Sequence, residues 1–160
     1  MSGLPAAGRL RPQPTKDTEF FWDAAAAGRL EIQRCEDCGK LRYPPGPACP
    51  TCHSLAWAPQ EMSGQGHLFS YTVIYHPSAP GFAGPAVVGV IELDEGVRLV
   101  TNLDVDPGEE LRIGERFEVF FLDQVEGWSV PQFRRSPAEL AGPAHESAES
   151  DSERMTKRDE

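Results

Sequence analysis

Four cysteines in two Cys-x-x-Cys pairs are the residues of this chain best suited to chemistry. Cys35 and Cys38 form the first pair, Cys49 and Cys52 form the second, and together they are all the cysteines of the 160 residues. A Cys-x-x-Cys turn directs two sulfurs to one ion, and tetrahedral Zn²⁺ binds thiolates at about 2.3 Å. The sequence therefore predicts one structural zinc ion per chain, held by four protein ligands with no open coordination position.

Two other uses of the cysteines fit less well. Disulfides need an oxidising compartment, and residues 1–16 carry Arg9, Arg11 and Lys16 without the continuous apolar run of a signal peptide. A redox dithiol is usually a single Cys-x-x-Cys between a strand and a helix, whereas this pattern is duplicated at the spacing of a zinc ribbon. We therefore expect reduced, metal-bound cysteines and a cytoplasmic location. The sequence contains no run of about 18 apolar residues, which is the length that a membrane helix requires.

Other possible acids and bases form no recognisable constellation. His67, Tyr71, Tyr75 and His76 lie along one stretch of chain, and none belongs to a local catalytic motif. His53 directly follows the second cysteine pair and is expected to stay in solvent, because four thiolates already satisfy the metal. The chain contains no Gly-x-Ser-x-Gly elbow, no glycine-rich phosphate loop and no His-Glu pair for a catalytic metal. We assign no catalytic residue.

The elements that must position the cysteines divide the chain into five segments. Asp17 or Thr18 can cap a short helix that Gly28 ends, and an alternating strand at 30–34 leads into the first cysteine pair. Low hydrophobicity and many prolines or acidic residues predict disorder at both ends. The predicted segments are a disordered lead-in at 1–16, a helical segment at 17–29, the zinc ribbon at 30–58, a β barrel at 59–136 and a disordered acidic tail at 137–160.

The pattern after the ribbon is β throughout. Residues 66–75 alternate as a half-buried strand does, and 86–93 and 97–103 flank a tight Asp-Glu-Gly turn, which predicts a hairpin. A further strand is expected at 117–122, and Pro131 confines a last strand at 128–133 to a sheet edge. Short strands with little helix favour a small barrel, and an OB-fold over a sandwich. The fold class is therefore mainly β.

An ordered set of motifs over about residues 18–135 resembles one bacterial and archaeal family. That family joins an N-terminal helical segment and a rubredoxin-like zinc ribbon to an OB-fold, and has been catalogued as domain of unknown function thirty-five. The motifs that carry the resemblance are Phe21-Trp22, Gly28-Arg29-Leu30, Cys35-x-x-Cys38-Gly39, Arg42-Tyr43-Pro44-Pro45, Cys49-Pro50-x-Cys52, Gly64-x-Gly66, Ser70-Tyr71-Thr72-Val73, Glu92-Leu93-Asp94-Glu95-Gly96 and Leu111-Arg112-Ile113-Gly114.

The resemblance implies a non-catalytic subunit rather than a free-standing enzyme. Members of the family associate with thiolase-like enzymes, including lipid-transfer-protein-like homologues, and the complexes act on acyl-CoA thioesters. In actinobacterial steroid breakdown such a pair is an aldolase that splits a β-hydroxyacyl-CoA side chain by retro-aldol cleavage. The resemblance thus predicts a thiolase-like partner, two copies of each chain in the complex, and acyl-CoA as the substrate of the complex.

Seven residues are candidates for contact with the partner or substrate. Three consecutive aromatic residues on a helix spread over about 200° of its circumference, so either one of them meets a partner or the helix lies in a groove between ribbon and barrel. A proline-rich loop within the ribbon would present an aromatic and a cation, and the loop at 77–85 carries one large apolar residue. The candidates are Phe20, Phe21, Trp22, Arg42, Tyr43, Pro44 and Phe82.

Binding of single-stranded nucleic acid is the alternative function, because zinc ribbons and OB-folds both serve it. The formal net charge of −10 opposes it. Seven acidic and three basic side chains fall in 137–160, and the 18 acidic and 12 basic residues before them still leave −6. Lys16 and Lys40 are the only lysines before residue 157. Since affinity for a phosphate backbone comes largely from Lys and Arg, we expect no nucleic-acid partner.

Overall fold

The structure, a computed structural model, describes residues 12–76, 84–123 and 127–137. One helix and eight strands form in these residues, and the fold is mainly β, as predicted. The predicted disorder at 1–11 and 138–160 lies outside the described residues. The elements are α1 (Glu19–Ala26), β1 (Glu31–Cys35), β2 (Leu41–Arg42), β3 (Trp57–Glu61), β4 (Gln65–Ile74), β5 (Ala86–Leu93), β6 (Arg98–Asn102), β7 (Arg116–Asp123) and β8 (Ser129–Arg135).

Helix α1 lies between the ribbon and the barrel. Its first turn has no side-chain cap, because the hydroxyl oxygen of Thr18 accepts the Thr15 amide N–H at 2.8 Å instead of a helical one. Gly28, at φ +72°, follows its last turn in the left-handed conformation that glycine adopts without strain. The helix contacts β1 of the ribbon and β7 and β8 of the barrel. No helix in the described residues is long and apolar enough to cross a membrane.

The ribbon contains a three-stranded antiparallel sheet in the order β2-β1-β3. β1 was expected from the run of alternating residues at 30–34, and β2 was not predicted as a strand. β3 was not predicted, yet it pairs with β1 along its whole length, from Glu31 opposite Glu61 to Cys35 opposite Trp57. β3 therefore spans residues 58 and 59, between which the sequence had placed the start of the barrel.

The other five strands form a curled sheet in the order β6-β5-β4-β7-β8. The predicted β5–β6 hairpin is present, and its turn is closed by a 2.8 Å bond from the Gly96 amide to the Leu93 carbonyl. The edges of this half-barrel approach each other where Leu103 forms a parallel bridge with Phe133. The amide of Asp104 donates to the Phe133 carbonyl at 2.8 Å beside this bridge. This strand order, with β8 approaching the end of β6, is that of an OB-fold.

Ribbon, helix and half-barrel share one hydrophobic core. Phe117 and Phe133 are its largest fully buried side chains, and Ile32 from β1 is equally buried. Phe21 from α1 belongs to the same cluster. Burial of apolar side chains contributes about 25 cal/mol per Å², so this common cluster ties the ribbon to the barrel energetically.

The expectation for β4 was wrong in its second half. Up to Leu68 the strand alternates between buried and partly exposed residues, but a bulge between Leu68 and Ser70 shifts the register against β5. Beyond the bulge both faces are largely solvent-exposed, including Tyr71 and Ile74. A bulge adds one unpaired residue and bends the strand, so the period-2 pattern no longer separates a core face from a solvent face.

Candidate functional site

The four cysteines come together at one point of the ribbon. Their sulfurs all lie within 4.8 Å of one another, with Cys35 Sγ 3.5 Å from Cys52 Sγ and Cys38 Sγ 3.6 Å from Cys49 Sγ. A disulfide requires about 2.05 Å between sulfurs. Sulfurs bound tetrahedrally at about 2.3 Å lie about 3.8 Å apart, which matches the observed spacing. The residues present therefore fit a structural metal ion held by four thiolates.

The two cysteine turns have the same backbone hydrogen bonds. The amide of Gly39 donates to the Cys35 carbonyl at 3.0 Å, and the amide of His53 donates to the Cys49 carbonyl at 2.9 Å. Both donors follow the second cysteine of their pair with positive φ, +72° for Gly39 and +62° for His53. Left-handed backbone is rare for a residue with a side chain, although His is among the types enriched there. His53 is thus the structural counterpart of Gly39.

Backbone amides favour thiolates in both turns. The amide of Cys52, with that of Thr51, lowers the pKa of Cys49 to about 6, and the amide of Cys38 lowers the pKa of Cys35. At Cys52 the Ser54 amide acts in the same direction, but the Cys38 and Cys35 sulfurs outweigh it and raise the pKa to about 12. The metal-free cluster therefore resists collecting four negative charges, and a divalent cation removes that repulsion.

Arg34 brings a positive charge beside the first cysteine turn. A Cβ placed on Gly39 would lie 3.4 Å from Nη2 of Arg34, so the guanidinium lies against the backbone next to Cys38. Four thiolates around Zn²⁺ carry a net charge of about −2. The guanidinium is placed to offset part of that charge.

A buried polar pair on the ribbon sheet was not expected from the sequence. Gln33 is fully buried and Arg42 is 6% exposed, and they face each other across β1 and β2. The side-chain oxygen of Gln33 accepts from Arg42 Nε at 2.8 Å and from the Gly46 amide at 2.9 Å. Both terminal guanidinium nitrogens of Arg42 and the Gln33 amide nitrogen are buried without a hydrogen-bond partner in the described chain. The pair joins β1 to the loop after β2.

The predicted contact residues divide into buried and accessible ones. Phe21 is 5% exposed and its ring lies 5.7 Å from that of Tyr43, whereas Phe20 packs at 4.9 Å on Trp57. The helix lies in the groove between ribbon and barrel, but of the three aromatic residues only Phe21 is buried there, while Phe20 and Trp22 stay partly exposed. The expectation that Arg42 presents its charge at the surface was wrong, because its side chain is enclosed between β1 and the following loop. Contact of a partner with Phe20, Trp22, Tyr43 or Pro44 stays a prediction.

The remaining polar candidates lie apart from the cysteines. His67 Nε2 is 3.8 Å from a carboxylate oxygen of Glu92 on the outside of the barrel. Tyr71 and Tyr75 are exposed on and just after β4. Burial raises the pKa of Tyr43, which is enclosed beside α1. Phe82 lies outside the described residues, so its predicted role is not tested.

Two family models cover adjacent parts of the chain. The one described as ChsH2, rubredoxin-like zinc ribbon domain, matches residues 22–58. The one described as ChsH2, C-terminal OB-fold domain, matches residues 59–122.

Curated relatives carry related names. A probable enoyl-CoA hydratase alpha subunit of Thermomonospora curvata is 43% identical over 81% of this chain and 41% of its own length. A 3-oxo-4,17-pregnadiene-20-carboxyl-CoA hydratase alpha subunit of Mycobacterium tuberculosis is 37% identical over 76% of this chain and 38% of its own length. The benzoylsuccinyl-CoA thiolase subunit BbsA of Thauera aromatica is 31% identical over 61% of this chain and 72% of its own length. The chain thus spans about two fifths of the length of the first two.

A solved structure shares both fold and sequence with this chain. It is described as the Ltp2-ChsH2(DUF35) aldolase, and the matching chain is 42% identical with a TM-score of 0.72. The match covers 78% of the present chain and 98% of that one.

Proposed function

Because the chain belongs to the ChsH2 family of proteins with a rubredoxin-like zinc ribbon and an OB-fold, we propose that it is an accessory subunit of an acyl-CoA-processing complex. Its partner in this proposal is a thiolase-like protein of the lipid-transfer-protein type, with two copies of each chain. The observation that carries the proposal is the match, over 98% of its length, to a chain of the Ltp2-ChsH2(DUF35) aldolase. The relative named as a thiolase subunit supports the same class of partner.

The reaction that we propose for the complex is retro-aldol cleavage of a steroid side-chain β-hydroxyacyl-CoA. The bond between the α and β carbons breaks, the β-hydroxyl oxygen becomes the ketone oxygen, and a base takes the hydroxyl proton. The electron pair passes to the α carbon as a thioester enolate, which is then protonated to give a shorter acyl-CoA. We assign the base and the enolate stabiliser to the thiolase-like subunit. The hydratase activity in the names of the longer relatives is not carried over, because the chain spans only about two fifths of them.

The zinc ribbon has a structural task in this proposal. Cys35, Cys38, Cys49 and Cys52 would hold Zn²⁺ with all four positions filled by protein, so the ion supplies folding energy and no Lewis-acid site. Helix α1 and β1 connect this rigid ribbon to the barrel through the shared core. The chain can therefore present ribbon and barrel to a partner as one preorganised surface, which lowers the entropic cost of association.

Single-strand nucleic-acid binding receives little support from the arrangement of charges. Three arginines of the barrel each form an ion pair with a carboxylate: Arg116 with Asp94, Arg134 with Glu118, and Arg135 with Glu109. Single-strand binders need free cations in a groove beside stacking aromatics. Paired guanidinium groups release few counterions on binding a phosphate backbone, so this function is the weaker candidate.

Co-expression with a lipid-transfer-protein-like thiolase homologue tests the proposed function. We expect co-elution of the two chains at a mass of two copies each, and release of a short acyl-CoA from a steroid β-hydroxyacyl-CoA by the complex only. Acyl-CoA products are measured by liquid chromatography with mass detection. Full activity of the thiolase-like subunit alone, or turnover by the present chain alone, would refute an accessory role. A shift of labelled single-stranded DNA at physiological salt would favour the alternative.

A further inference from the structure

Exposed apolar side chains concentrate on one part of the barrel. Among the described residues, seven large apolar side chains are at least 40% exposed, and five of these lie on β4, directly after it, or on β6. The five are Phe69, Tyr71, Ile74, Tyr75 and Val100. Exposed apolar surface that is contiguous usually marks an interaction site in a soluble protein. Tyr71 lies opposite the inward-facing Gly89 and so on the other face of the sheet from Val100, which lies opposite the outward-facing Val90.

Strand register places a group of uncharged residues on the outer face of β4, β5 and β6. On β5 the inward positions are buried and the outward positions, including Val88 and Val90, are only partly covered. Val90 lies opposite Ser70 on one side and Val100 on the other, and Val88 lies opposite Thr72 and Asn102. We call this the outer patch and define it as Phe69, Thr72, Ile74, Val88, Val90 and Val100.

At one end of the outer patch, the charged side chains of Arg98 and Glu92 neutralise one another. Arg98 forms an ion pair with Glu92, and His67 lies 3.8 Å from the same carboxylate. The Arg98 guanidinium also lies 3.5 Å above the centre of the Phe69 ring. In a chain with 25% charged residues, an uncharged surface across three neighbouring strands is unusual. Interface cores show this depletion of charge.

The free edge of β4 adjoins the outer patch. β7 pairs with β4 only from Gln65 to His67, and Leu68 still bonds to the loop before β7. From Ser70 to Ile74 the described residues provide hydrogen-bond partners on the β5 side only. Proteins usually protect such edges with lysine, proline or a charge, and residues 70–75 contain none of these. Among the described residues, the edge from Ser70 to Ile74 therefore has no partner strand and no charged side chain.

We propose that the outer patch, with the adjoining edge of β4, is the surface on which the thiolase-like subunit docks, through an uncharged, largely apolar face of that subunit. This inference rests on the proposed function and adds the location of the contact. A second copy of this chain is a poorer occupant, because each copy brings a net charge of −10 and like charges repel. Nucleic acid is a poorer occupant because Arg98 is already paired with Glu92.

Val100→Glu tests the inference against the matched variant Leu55→Glu. Val100 is 61% exposed on the barrel and Leu55 is 71% exposed on the ribbon, so both substitutions leave the core intact. We expect Val100→Glu to weaken binding of the purified thiolase-like subunit by about 10-fold to 100-fold in biolayer interferometry, because docking would bury an unpaired carboxylate. Leu55→Glu should stay within about threefold of the wild type. Ile74→Lys should weaken binding like Val100→Glu despite its opposite charge.

The outcomes separate this inference from the proposed function. If the wild-type chain binds and Val100→Glu and Ile74→Lys bind equally well, the docking site lies elsewhere and only this inference is overturned. If the wild-type chain does not bind the thiolase-like subunit, the proposed function fails and this inference with it. Light scattering of the chain alone provides a further check: a dimer that Val100→Glu converts to a monomer would assign the outer patch to a second copy and overturn the inference.

Discussion

Substitutions at Gln33 and Arg42 should have unequal effects although they remove the same hydrogen bond. Gln33→Leu leaves the Gly46 amide and the Arg42 guanidinium buried without an acceptor. A buried unpaired amide costs about 1–3 kcal/mol, and an uncompensated buried charge about 3–5 kcal/mol. Because Arg42 can shift towards water, we expect the costs of the unpaired amide and of the uncompensated charge not to add in full. The free energy of unfolding should therefore fall by about 3–5 kcal/mol.

Arg42→Met should cost far less. It removes the bond from Arg42 Nε, worth about 1 kcal/mol, but also removes a charge whose two terminal nitrogens have no partner in the described chain. The side-chain oxygen of Gln33 still accepts from Gly46. We therefore expect Arg42→Met to lie within about 1 kcal/mol of the wild type. The double variant should be more stable than Gln33→Leu alone by about 2 kcal/mol.

Urea unfolding in excess zinc measures these differences. Trp57, one of three tryptophans, lies opposite Cys35 in the ribbon sheet, so part of the fluorescence change comes from the element that the substitutions affect. Arg112→Met is the matched control, because the Arg112 side chain is 78% exposed and its loss should change stability by less than about 0.5 kcal/mol. If Arg42→Met destabilises the protein as much as Gln33→Leu, the guanidinium has an acceptor inside the fold, and the reasoning is refuted.

Three further predictions concern the metal centre and the barrel. Elemental analysis should give about one zinc per chain. Cys38→Ser should lose the metal and the near-UV circular dichroism of the ribbon, because such sites supply roughly 10–16 kcal/mol of apparent folding energy. A folded, zinc-free variant would contradict this. His53→Gly should unfold at a urea concentration no lower than that of the wild type, while His53→Val should unfold at a lower one, because a β-branched residue tolerates the φ of +62° less well than His does. Arg116 lowers the pKa of Asp94, so this carboxylate stabilises the fold fully above its unfolded pKa of about 3.9 and loses that effect as the pH falls through its lower folded pKa. The Asp94→Asn variant should therefore lose less stability than the wild type when the pH falls from neutral to about 3. The difference should be no larger than about 1 kcal/mol, because the Arg116–Asp94 pair is half exposed. The urea midpoint measured against pH checks this, and identical profiles for the two proteins would contradict it.

The parts of the fold that local chemistry dictates were predictable from the sequence. The spacing of the cysteine pairs determines which four sulfurs can share an ion, and they do converge. The β5–β6 hairpin follows from two alternating runs and a turn with glycine at its positive-φ position, Gly96. These features depend on residues close in sequence, and therefore their signals are visible without tertiary context.

The parts that depend on distant contacts were not predictable. β3 contains Pro59 and few strongly β-forming residues, and it becomes a strand because β1 offers it a complete set of backbone partners. Gln33 and Arg42 looked like ordinary polar positions on an alternating strand and a loop, and only the three-dimensional packing encloses them. No periodicity in the sequence marks the bulge in β4 after Leu68. Tertiary pairing outweighed local propensity in each case.

The common core links the stability of the metal centre to the integrity of the proposed docking surface. Ile32 belongs to β1, which ends at the metal-binding Cys35, and it packs in the same cluster as Phe117 and Phe133 of the barrel. Loss of the metal would release β1 and expose barrel core that the ribbon now covers. Since β5 alternates between this core and the outer patch, disorder of its buried side chains would also shift the outward-facing ones. The zinc ion can thus contribute to partner binding without touching the partner, by keeping a three-strand surface in the geometry that a rigid interface requires.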